Sequence, residues 1–466
     1  MLFFGRMNLI SKYAKHSMEY PNIIFLCIDS LRNDKFYHKE KTSFTPNIDS
    51  LIKNGTYFSQ AISSADGTIL GINTILNGQY PNSTGIRSKK IMLNENNLVQ
   101  FFKEKNYRFY GFLPNLTSFK NMIELCENTN CTYEPGPPTI PLLKTGNKII
   151  DFLNSEKMLE PWIYFLHIFD LHVIREGSDA SGLENYNSDK FGNTKYERIV
   201  SSIDVWVGKI IKKIDFNKTL IVLTADHGER IPIDDRDIVS FEPEFKKSVK
   251  FGKKILPKSS QKIGGKFLSK VRKSVASVKI AKANQNLTSY QIRSRLPHFT
   301  LSLYDENIRI PLLFCGYNIK SKIINQQVSA ADIFLTLTDI LQNPLETKLD
   351  GTSLFPLLSG RKIPENPIYL HTMPHEDLTD DDAVGVRTSQ FKYFRHARNS
   401  GKNIHLFDLK NDPLENENIF YDFPDVVKKM EEIISNYPDN PKKSTSTKFS
   451  EEEQKIAKEL KKLGYM

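Results

Sequence analysis

TLIVLTADHGE, residues 219–229, is the stretch that decides the fold of this chain. Its first half is a short apolar run rich in β-branched residues, which is typical of a strand buried on both faces of a parallel sheet. The run stops at Asp226, His227 and Gly228, where a carboxylate and an imidazole precede a glycine that lets the backbone turn. Such a pair can bind one cation at the carboxyl end of a strand. An isolated DHG could also be no more than the polar start of the loop that follows the strand.

A second stretch of the same kind, NIIFLCID (residues 22–29), ends in Asp29. In an open α/β sheet, the carboxyl ends of neighbouring parallel strands meet at one crevice, where ligands bind. Two buried strands that each end in an acid therefore predict one metal site that draws on Asp29, Asp226 and His227.

The composition predicts a globular protein. The chain has 466 residues, 39% of them hydrophobic and 11% aromatic, which is enough for a sizeable core and about two to four domains.

No apolar run approaches the roughly 20 residues of a membrane span, and residues 1–20 lack a long apolar segment with a small-residue cleavage site. The four cysteines fit a reducing compartment, although Cys126 and Cys131, in CENTNC, could bridge or bind a metal. We therefore expect a cytoplasmic protein, which could also bind peripherally to the inner membrane surface.

The net charge of +10 is concentrated in one basic insert, residues 245–295. This insert contains twelve lysines, three arginines and no acidic residue, so the rest of the chain is mildly acidic. Apolar residues recur at helical spacing within 267–278, with lysines around them. Such a helix either binds an anionic membrane surface or another polyanion, or packs its apolar side on the protein itself. Nucleic acid is disfavoured as a partner.

A third stretch, SSADGTILGINTILNGQYP (residues 63–81), predicts a helix that starts near Thr68. A hydroxyl residue at a helix start is often only an N-cap. The same geometry also directs backbone N–H groups at whatever lies over Thr68, which suits a phosphate or a sulfate.

Six segments of the chain occur in an order that is specific to one protein family. They are TPNIDSLIKNGTYFSQAIS (45–63), ILNGQYP (75–81), TADHGE (224–229), LYDENIRIPLLF (303–314), DGTSLFPLLSG (350–360) and LFDLKNDPLENEN (406–418). In this order they resemble the motifs of the sulfatase family of the alkaline phosphatase superfamily. The resemblance implies an α/β sandwich with a large mixed sheet between helices, and a smaller C-terminal domain with a short antiparallel sheet.

The resemblance also implies the domain boundaries. We expect a catalytic domain at 20–345, which includes the basic insert, and a small-sheet subdomain at 346–440. A polar linker and a C-terminal helix would then occupy 441–466.

The family's functional residues transfer unevenly. Sulfatases that cleave sulfate esters carry a Cys or Ser, converted to formylglycine, in C/S-x-P-x-R, ten residues before the glycine of LLTG. Counting back from Gly78 gives Thr68, which cannot be converted, and the proline and arginine positions are Leu70 and Ile72. The lysine of the family's GKWH motif is also missing from GFLPN (111–115). The chain thus resembles the branch with an unmodified threonine nucleophile, which acts mainly on phosphate esters and uses no formylglycine.

In that branch the expected metal ligands are Asp29, Thr68, Asp226 and His227. This mixed oxygen and nitrogen set favours Mn²⁺ or Zn²⁺, with Ca²⁺ or Mg²⁺ as alternatives. Many sulfatases have two consecutive acids at the first strand end, whereas here the second is Ser30, which weakens a calcium site.

Three histidines are candidates for completing the site. WIYFLHIFDLH (162–172) resembles the family's FLH-x-x-D-x-H, so His172 matches a histidine that contacts the transferred group and could protonate a leaving oxygen. His167 is a second candidate substrate contact in the same segment. His298 resembles, one residue out of step, a histidine ahead of the LYEE motif and could bind substrate or metal. Each could instead be a core or surface histidine.

Together these features predict a metal-dependent hydrolase or transferase of phospho(di)esters that forms a covalent phosphothreonine on Thr68. One alternative is an arylsulfatase-like hydrolase of sulfuric esters. The other is an inactive protein of the same fold that binds a polyanion or a membrane through its insert. The expected substrate is an anionic ester, and the sequence predicts no oligomeric state.

Overall fold

The protein folds into two β-sheets with helices packed against the larger one. The computed structural model describes residues 20–84, 90–135, 140–172, 182–231, 284–295, 302–372, 382–437, 455–456 and 458–459. His298 and most of the insert 245–295 lie outside these residues. Within them, an eight-stranded mixed sheet and a four-stranded antiparallel sheet confirm the expected fold class.

The large sheet places its parallel strands around β1. Its strands are β1 (Asn22–Ile28), β2 (Thr56–Ile62), β3 (Arg108–Pro114), β4 (Thr132–Tyr133), β5 (Trp162–Ile168), β6 (Thr219–Thr224), β7 (Arg309–Gly316) and β8 (Lys322–Ser329). Their order is β4-β3-β5-β1-β6-β7-β2-β8. From β4 to β6 all neighbours are parallel, β7 is antiparallel to both of its neighbours, and β8 is parallel to β2. The carboxyl ends of β5, β1 and β6 therefore open at one edge of the sheet.

Strands β1 and β6 are buried along their whole length, as their apolar runs predict. Cys27 of β1 lies level with Thr224 of β6 and with His167 of β5. The acidic residues that follow β1 and β6 therefore emerge next to each other.

The helices are mostly short. They are α1 (Asn33–Phe36), α2 (Pro46–Asn54), α3 (Thr68–Asn77), α4 (Pro81–Thr84), α5 (Leu98–Glu104), α6 (Lys120–Ile123), α7 (Pro141–Thr145), α8 (Asn147–Leu153), α9 (Lys195–Ile211), α10 (Ser289–Ser294), α11 (Asp305–Ile308), α12 (Asp332–Ile340), α13 (Phe355–Leu358) and α14 (Pro424–Ser435). Every residue of α3 is buried, and the helix ends at Gly78, whose φ of 61° is the left-handed conformation that glycine adopts without strain. Across the described part of the chain, no helix combines the length and apolar character that a membrane crossing requires.

The small sheet packs beside the start of α3. Its strands are β9 (Ile368–His371), β10 (Ala383–Arg387), β11 (Phe391–His396) and β12 (His405–Asp408), in the order β12-β11-β10-β9. The His371 N–H at the end of β9 donates a hydrogen bond to the Ser64 carbonyl (2.8 Å), and His371 also forms a parallel bridge with Ala65. The last residue of β9 thus supports the loop that leads to Thr68.

A buried cluster of charges joins the two sheets. Asp305 of α11 accepts hydrogen bonds from Arg387 of β10 (2.8 Å) and from Lys392 of β11 (2.7 Å). Lys392 is fully buried and also pairs with Glu415 at 2.5 Å. Desolvated charges are tolerated only when they are paired, so this cluster fixes how the small sheet sits on the large one.

Candidate active site

The residues predicted to bind a metal lie together beyond the carboxyl ends of β1 and β6. Asp29, Asp226 and His227 are completely buried, and each offers a ligand atom within 4.8 Å of the others. Thr68, the first residue of α3, faces them: its Oγ1 lies 3.0 Å from Asp29 Oδ2 and 3.2 Å from His227 Nε2. The structure therefore brings all four of these residues to one point.

Thr68 does not act as the cap of α3. The N-cap position belongs to Gly67, which has an extended backbone (φ −153°, ψ 152°) and whose carbonyl accepts the Gly71 N–H at 3.0 Å. Thr68 is the first helical residue, and its hydroxyl donates to Asp29 Oδ2. The simple capping interpretation of this threonine is therefore wrong, and its hydroxyl belongs to the site.

His227 has one ring nitrogen fixed and the other directed into the site. Its Nδ1 lies 2.6 Å from the Gly228 carbonyl oxygen. A carbonyl can only accept, so Nδ1 carries the proton of the neutral ring and the lone pair of Nε2 faces Thr68. This tautomer is the one that a metal-binding histidine requires.

Asp226 has one oxygen occupied and the other without a hydrogen bond. Oδ1 accepts from the backbone N–H groups of His227 (2.8 Å) and Ser30 (3.2 Å). Oδ2 is buried and has no hydrogen-bond partner in the described part of the chain, although His167 Nε2 and His227 Nε2 lie 3.7 and 3.8 Å away. A buried carboxylate oxygen without a donor is costly, and a cation at this point would satisfy it. The donor set therefore fits a divalent metal ion.

Asp29 is held in its ionised form. Burial alone would raise its pKa, but pairing with His172, whose Nδ1 lies 3.5 Å from Asp29 Oδ1, holds that pKa well below the ordinary range of an aspartate. An ionised carboxylate is the form that binds a cation. Asp29 is therefore ready to act as a ligand at neutral pH.

Ser30 has a structural role that its residue type does not reveal. Its φ of 62° places a non-glycine residue in the left-handed region, a conformation that usually costs free energy and often marks functional sites. In that conformation its Oγ donates to Asp29 Oδ1 (2.7 Å), its N–H donates to Asp226, and its carbonyl accepts from the Tyr196 hydroxyl (2.7 Å). Where the sequence indicated only a missing second acid, the structure has a residue that orients both aspartates. Neither Ser30 nor Tyr196 carried a sequence signal for this role.

His167 of β5 and His172, which lies beyond the end of that strand, both border the site, the first 3.7 Å from Asp226 and the second 3.5 Å from Asp29. His172 is buried, and its ring stacks on Phe169 with centroids 4.3 Å apart. His167 is fully buried against the edge of Phe119, and within the described residues neither of its ring nitrogens has a hydrogen-bond partner. Both imidazoles border the cluster of carboxylates, whereas the structure gives no position for His298.

Gly71 sets how closely α3 approaches the backbone of Asp226, just beyond the end of β6, and this yields a first prediction. A Cβ at residue 71 would lie 2.3 Å from the Asp226 carbonyl oxygen, a distance that real Cβ atoms do not show. We expect Gly71→Ala to destabilise the fold by about 1–3 kcal/mol, because the backbone of α3 must move away from β6. Thermal unfolding measures the loss, and metal affinity should fall with it.

The matched control for that change is Gly401→Ala. Around Gly401 the only atom within 4 Å of an added Cβ is Asn399 Oδ1, at 3.4 Å. This variant should unfold at the temperature of the unmodified protein. Equal unfolding temperatures for both variants would contradict the close packing of α3 on β6.

Comparisons with known proteins agree with this architecture. A family model described as Sulfatase matches residues 21–343, and one described as N-sulphoglucosamine sulphohydrolase, C-terminal, matches residues 300–440. Arylsulfatase K of Mus musculus is 31% identical over 165 residues, which cover 34% of this chain and 30% of that protein. The match therefore spans less than a third of the curated relative's length.

Two solved structures share the fold. A putative sulfatase from Bacteroides thetaiotaomicron superposes with a TM-score of 0.65 at 16% identity, covering 94% of this chain and 96% of the other. The phosphonate monoester hydrolase of Agrobacterium radiobacter superposes with a TM-score of 0.60 at 16% identity, covering 89% and 95%. At this identity the likeness concerns the fold alone.

The expected cytoplasmic location is wrong. The chain aligns with arylsulfatases K from several organisms, which are sulfatases of the lysosomal and endoplasmic reticulum type rather than cytoplasmic proteins. The expectation rested on the lack of an export signal in residues 1–20 and on a low cysteine count. Neither feature identifies a compartment.

Proposed function

The chain belongs to the sulfatase family, and from that premise we propose that it is a metal-dependent hydrolase of anionic esters with Thr68 as its nucleophile. One observation carries the proposal. The Thr68 hydroxyl lies 3.0 Å from Asp29 and 3.2 Å from His227, at the N-terminus of a buried helix and beside the cluster of Asp29, Asp226 and His227. A protein that only binds its ligand has no need for a hydroxyl among these groups.

The substrate class that the relatives favour is the sulfuric ester. Curated relatives of the chain are arylsulfatases K, and several structural neighbours are described as sulfatases. The sequence predicted a phospho(di)ester enzyme first and a sulfuric ester hydrolase as an alternative. The names of the relatives support the alternative better. We therefore propose a sulfuric ester as the substrate class.

A phosphate ester is the second candidate, and a specific residue favours it. Thr68 occupies the position at which sulfatases that cleave sulfate esters carry the residue converted to formylglycine, and a threonine does not undergo that conversion. A phosphonate monoester hydrolase shares the fold. Sulfate and phosphate groups are both tetrahedral anions, so one site can be tested with either.

The metal would be held by Asp29, Asp226 and His227 together with Thr68. Two carboxylates with an imidazole suit Mn²⁺ or Zn²⁺ better than Ca²⁺ or Mg²⁺. A divalent cation bound there would lower the pKa of the Thr68 hydroxyl and offset charge on the transferred group.

The protein's own groups account for the other parts of the reaction. Thr68 Oγ1 loses its proton to solvent and attacks the sulfur or phosphorus atom to form a covalent ester, while the leaving oxygen departs on the opposite side with the electrons of the broken bond. Backbone N–H groups at the start of α3 stabilise the anionic group as its charge develops. We assign the donation of a proton to the leaving oxygen to His172, whose Nδ1 lies 3.5 Å from Asp29 Oδ1. Water then hydrolyses the ester on Thr68 and regenerates the hydroxyl.

The test is a comparison of three substrates under defined metal conditions. The purified protein is stripped with a chelator, reloaded with Mn²⁺, Zn²⁺, Ca²⁺ or Mg²⁺, and assayed with an aryl sulfate, an aryl phosphate monoester and a bis-aryl phosphate diester. We expect turnover that depends on metal and is fastest with the aryl sulfate. Faster release of phosphate would select the second candidate. No turnover of any ester by a protein that binds metal would contradict the hydrolase and favour a binding protein.

A further inference from the structure

Two of the four cysteines lie close together, away from the active site. Cys126 follows α6 and Cys131 directly precedes β4, so the segment between them turns beside β3. The N–H of Glu127 donates to the Phe109 carbonyl at 2.9 Å, and the Leu113 N–H donates to the Cys131 carbonyl at 2.7 Å. These bonds hold both ends of the segment against the same strand.

The turn between the cysteines is fixed by Asn128. Its Oδ1 accepts the Gly111 N–H at 2.9 Å and its Nδ2 donates to the Gly111 carbonyl at 2.8 Å. The absence of a side chain at Gly111 makes room for sulfur, because a Cβ there would lie 2.4 Å from Cys126 Sγ. In this space the Cys126 thiol donates to the Met122 carbonyl at 3.3 Å and interacts directly with the Cys131 thiol. A bond between the sulfurs would therefore join two side chains that are already neighbours.

We propose that Cys126 and Cys131 form a disulfide bond when a small-molecule or protein disulfide is available as the oxidant, closing the loop of residues 126–131 against β3. Both sulfurs are free thiols in the structure, and the cluster of metal-ligating groups in its described part contains neither of them. Of the two sequence interpretations, a bridge or a metal site, the geometry favours the bridge.

The two thiols differ in a way that suits exchange chemistry. Interaction with the Cys126 thiol lowers the pKa of Cys131 to about 7, whereas the same interaction and burial raise the pKa of Cys126. The Cys131 thiolate attacks one sulfur of oxidised glutathione, and one glutathione thiolate leaves. Cys126 then gives up its proton and attacks the Cys131 sulfur of the mixed disulfide. A second glutathione thiolate leaves, so two protein thiols are oxidised and one glutathione disulfide is reduced.

The bond would stabilise a segment that reaches the active-site end of β5. Tyr133 lies two residues after Cys131, and its ring stacks on Phe112 with centroids 4.6 Å apart. Its hydroxyl donates to the His167 carbonyl at 2.7 Å. Closing the loop before Tyr133 restricts the unfolded chain and keeps this contact in place.

The experiment compares the full-length protein before and after incubation with oxidised glutathione. We expect the intact mass to fall by two hydrogens, thiol titration in denaturant to fall from four groups to two, and peptide mapping to link Cys126 to Cys131. Subsequent reduction should lower the unfolding temperature by about 2–4 °C.

Three variants complete the test. After incubation with oxidised glutathione, the mass of Cys126→Ser should not fall by two hydrogens, and Cys131 should instead carry glutathione. Cys131→Ser should form no internal disulfide. Cys315→Ala, at a buried thiol of β7, should still lose two hydrogens. Four titratable thiols after oxidation of the unmodified protein, or a bond that involves Cys27 or Cys315, would overturn the proposal.

Discussion

Replacing Thr68 by alanine is expected to lower the turnover number of the metal-loaded protein at least about a thousandfold, whichever ester proves to be its best substrate. The change removes the only atom that we propose to bond to the transferred group. Thr68 is the first helical residue and does not cap its helix, and alanine is a good helix former, so the fold should persist. Steady-state kinetics at saturating metal, with metal content measured in parallel, separates this loss from a loss of the cation.

The matched control is Thr68→Ser, which keeps a hydroxyl at the same position. It should retain much more activity than the alanine variant. Brief reaction with substrate followed by acid quenching should add the mass of one sulfuryl or phosphoryl group to the peptide that contains Thr68. Full activity in Thr68→Ala would show that water attacks the ester directly.

Replacing Asp226 by asparagine is expected to weaken metal binding at least about a hundredfold, because even partners of a metal ligand contribute ten- to a hundredfold. The oxygen Oδ2 is the buried acceptor that lacks a donor, and the change replaces a carboxylate with a neutral amide at this point. The metal-free variant should be at least as stable as the metal-free unmodified protein, since a buried charge without a partner costs free energy. At a metal concentration of 100 times Kd, the unmodified protein should gain about 2.7 kcal/mol, and the variant should gain almost nothing.

Asp204→Asn serves as the control for this experiment. Asp204 is equally buried, but it accepts hydrogen bonds from the Ile48 N–H (2.7 Å) and from Asn47 Nδ2 (2.8 Å) at the start of α2. Its replacement should lower the unfolding temperature and leave metal affinity unchanged. Calorimetric titration of both variants distinguishes the outcomes, and unchanged affinity in Asp226→Asn would remove Asp226 from the metal site.

The sequence predicted the parts of the site that depend on local patterns. Apolar runs that end in Asp29 and Asp226 predicted buried parallel strands, and parallel strands align their carboxyl ends without further information. Thr68 was identified as a site residue from its spacing to Gly78 in the sulfatase motifs. Its hydroxyl lies beside Asp29, after β1, and His227, after β6.

Other parts could not be predicted because they depend on contacts between distant residues. The left-handed conformation of Ser30 makes sense only once Asp226 and Tyr196 are in place around it. Thr68 would cap α3 if the helix began one residue later than it does. Helix propensity does not locate the first residue of a helix that accurately. The sequence predicted the phosphate ester first because the single residue Thr68 was given more weight than the similarity of the chain to its relatives. The relatives favour the alternative, a sulfuric ester.

The buried pairing of Asp305 with Arg387 and Lys392 limits how this chain can evolve by recombination. The acid lies in the part that carries the active site, and both cations lie in the small sheet. A recombination event that exchanged only one part would leave a desolvated charge without its counterion, at a cost of about 3–5 kcal/mol. The two parts should therefore be inherited together, and chimaeras with a relative should fold only when the acid and its two cations come from the same parent.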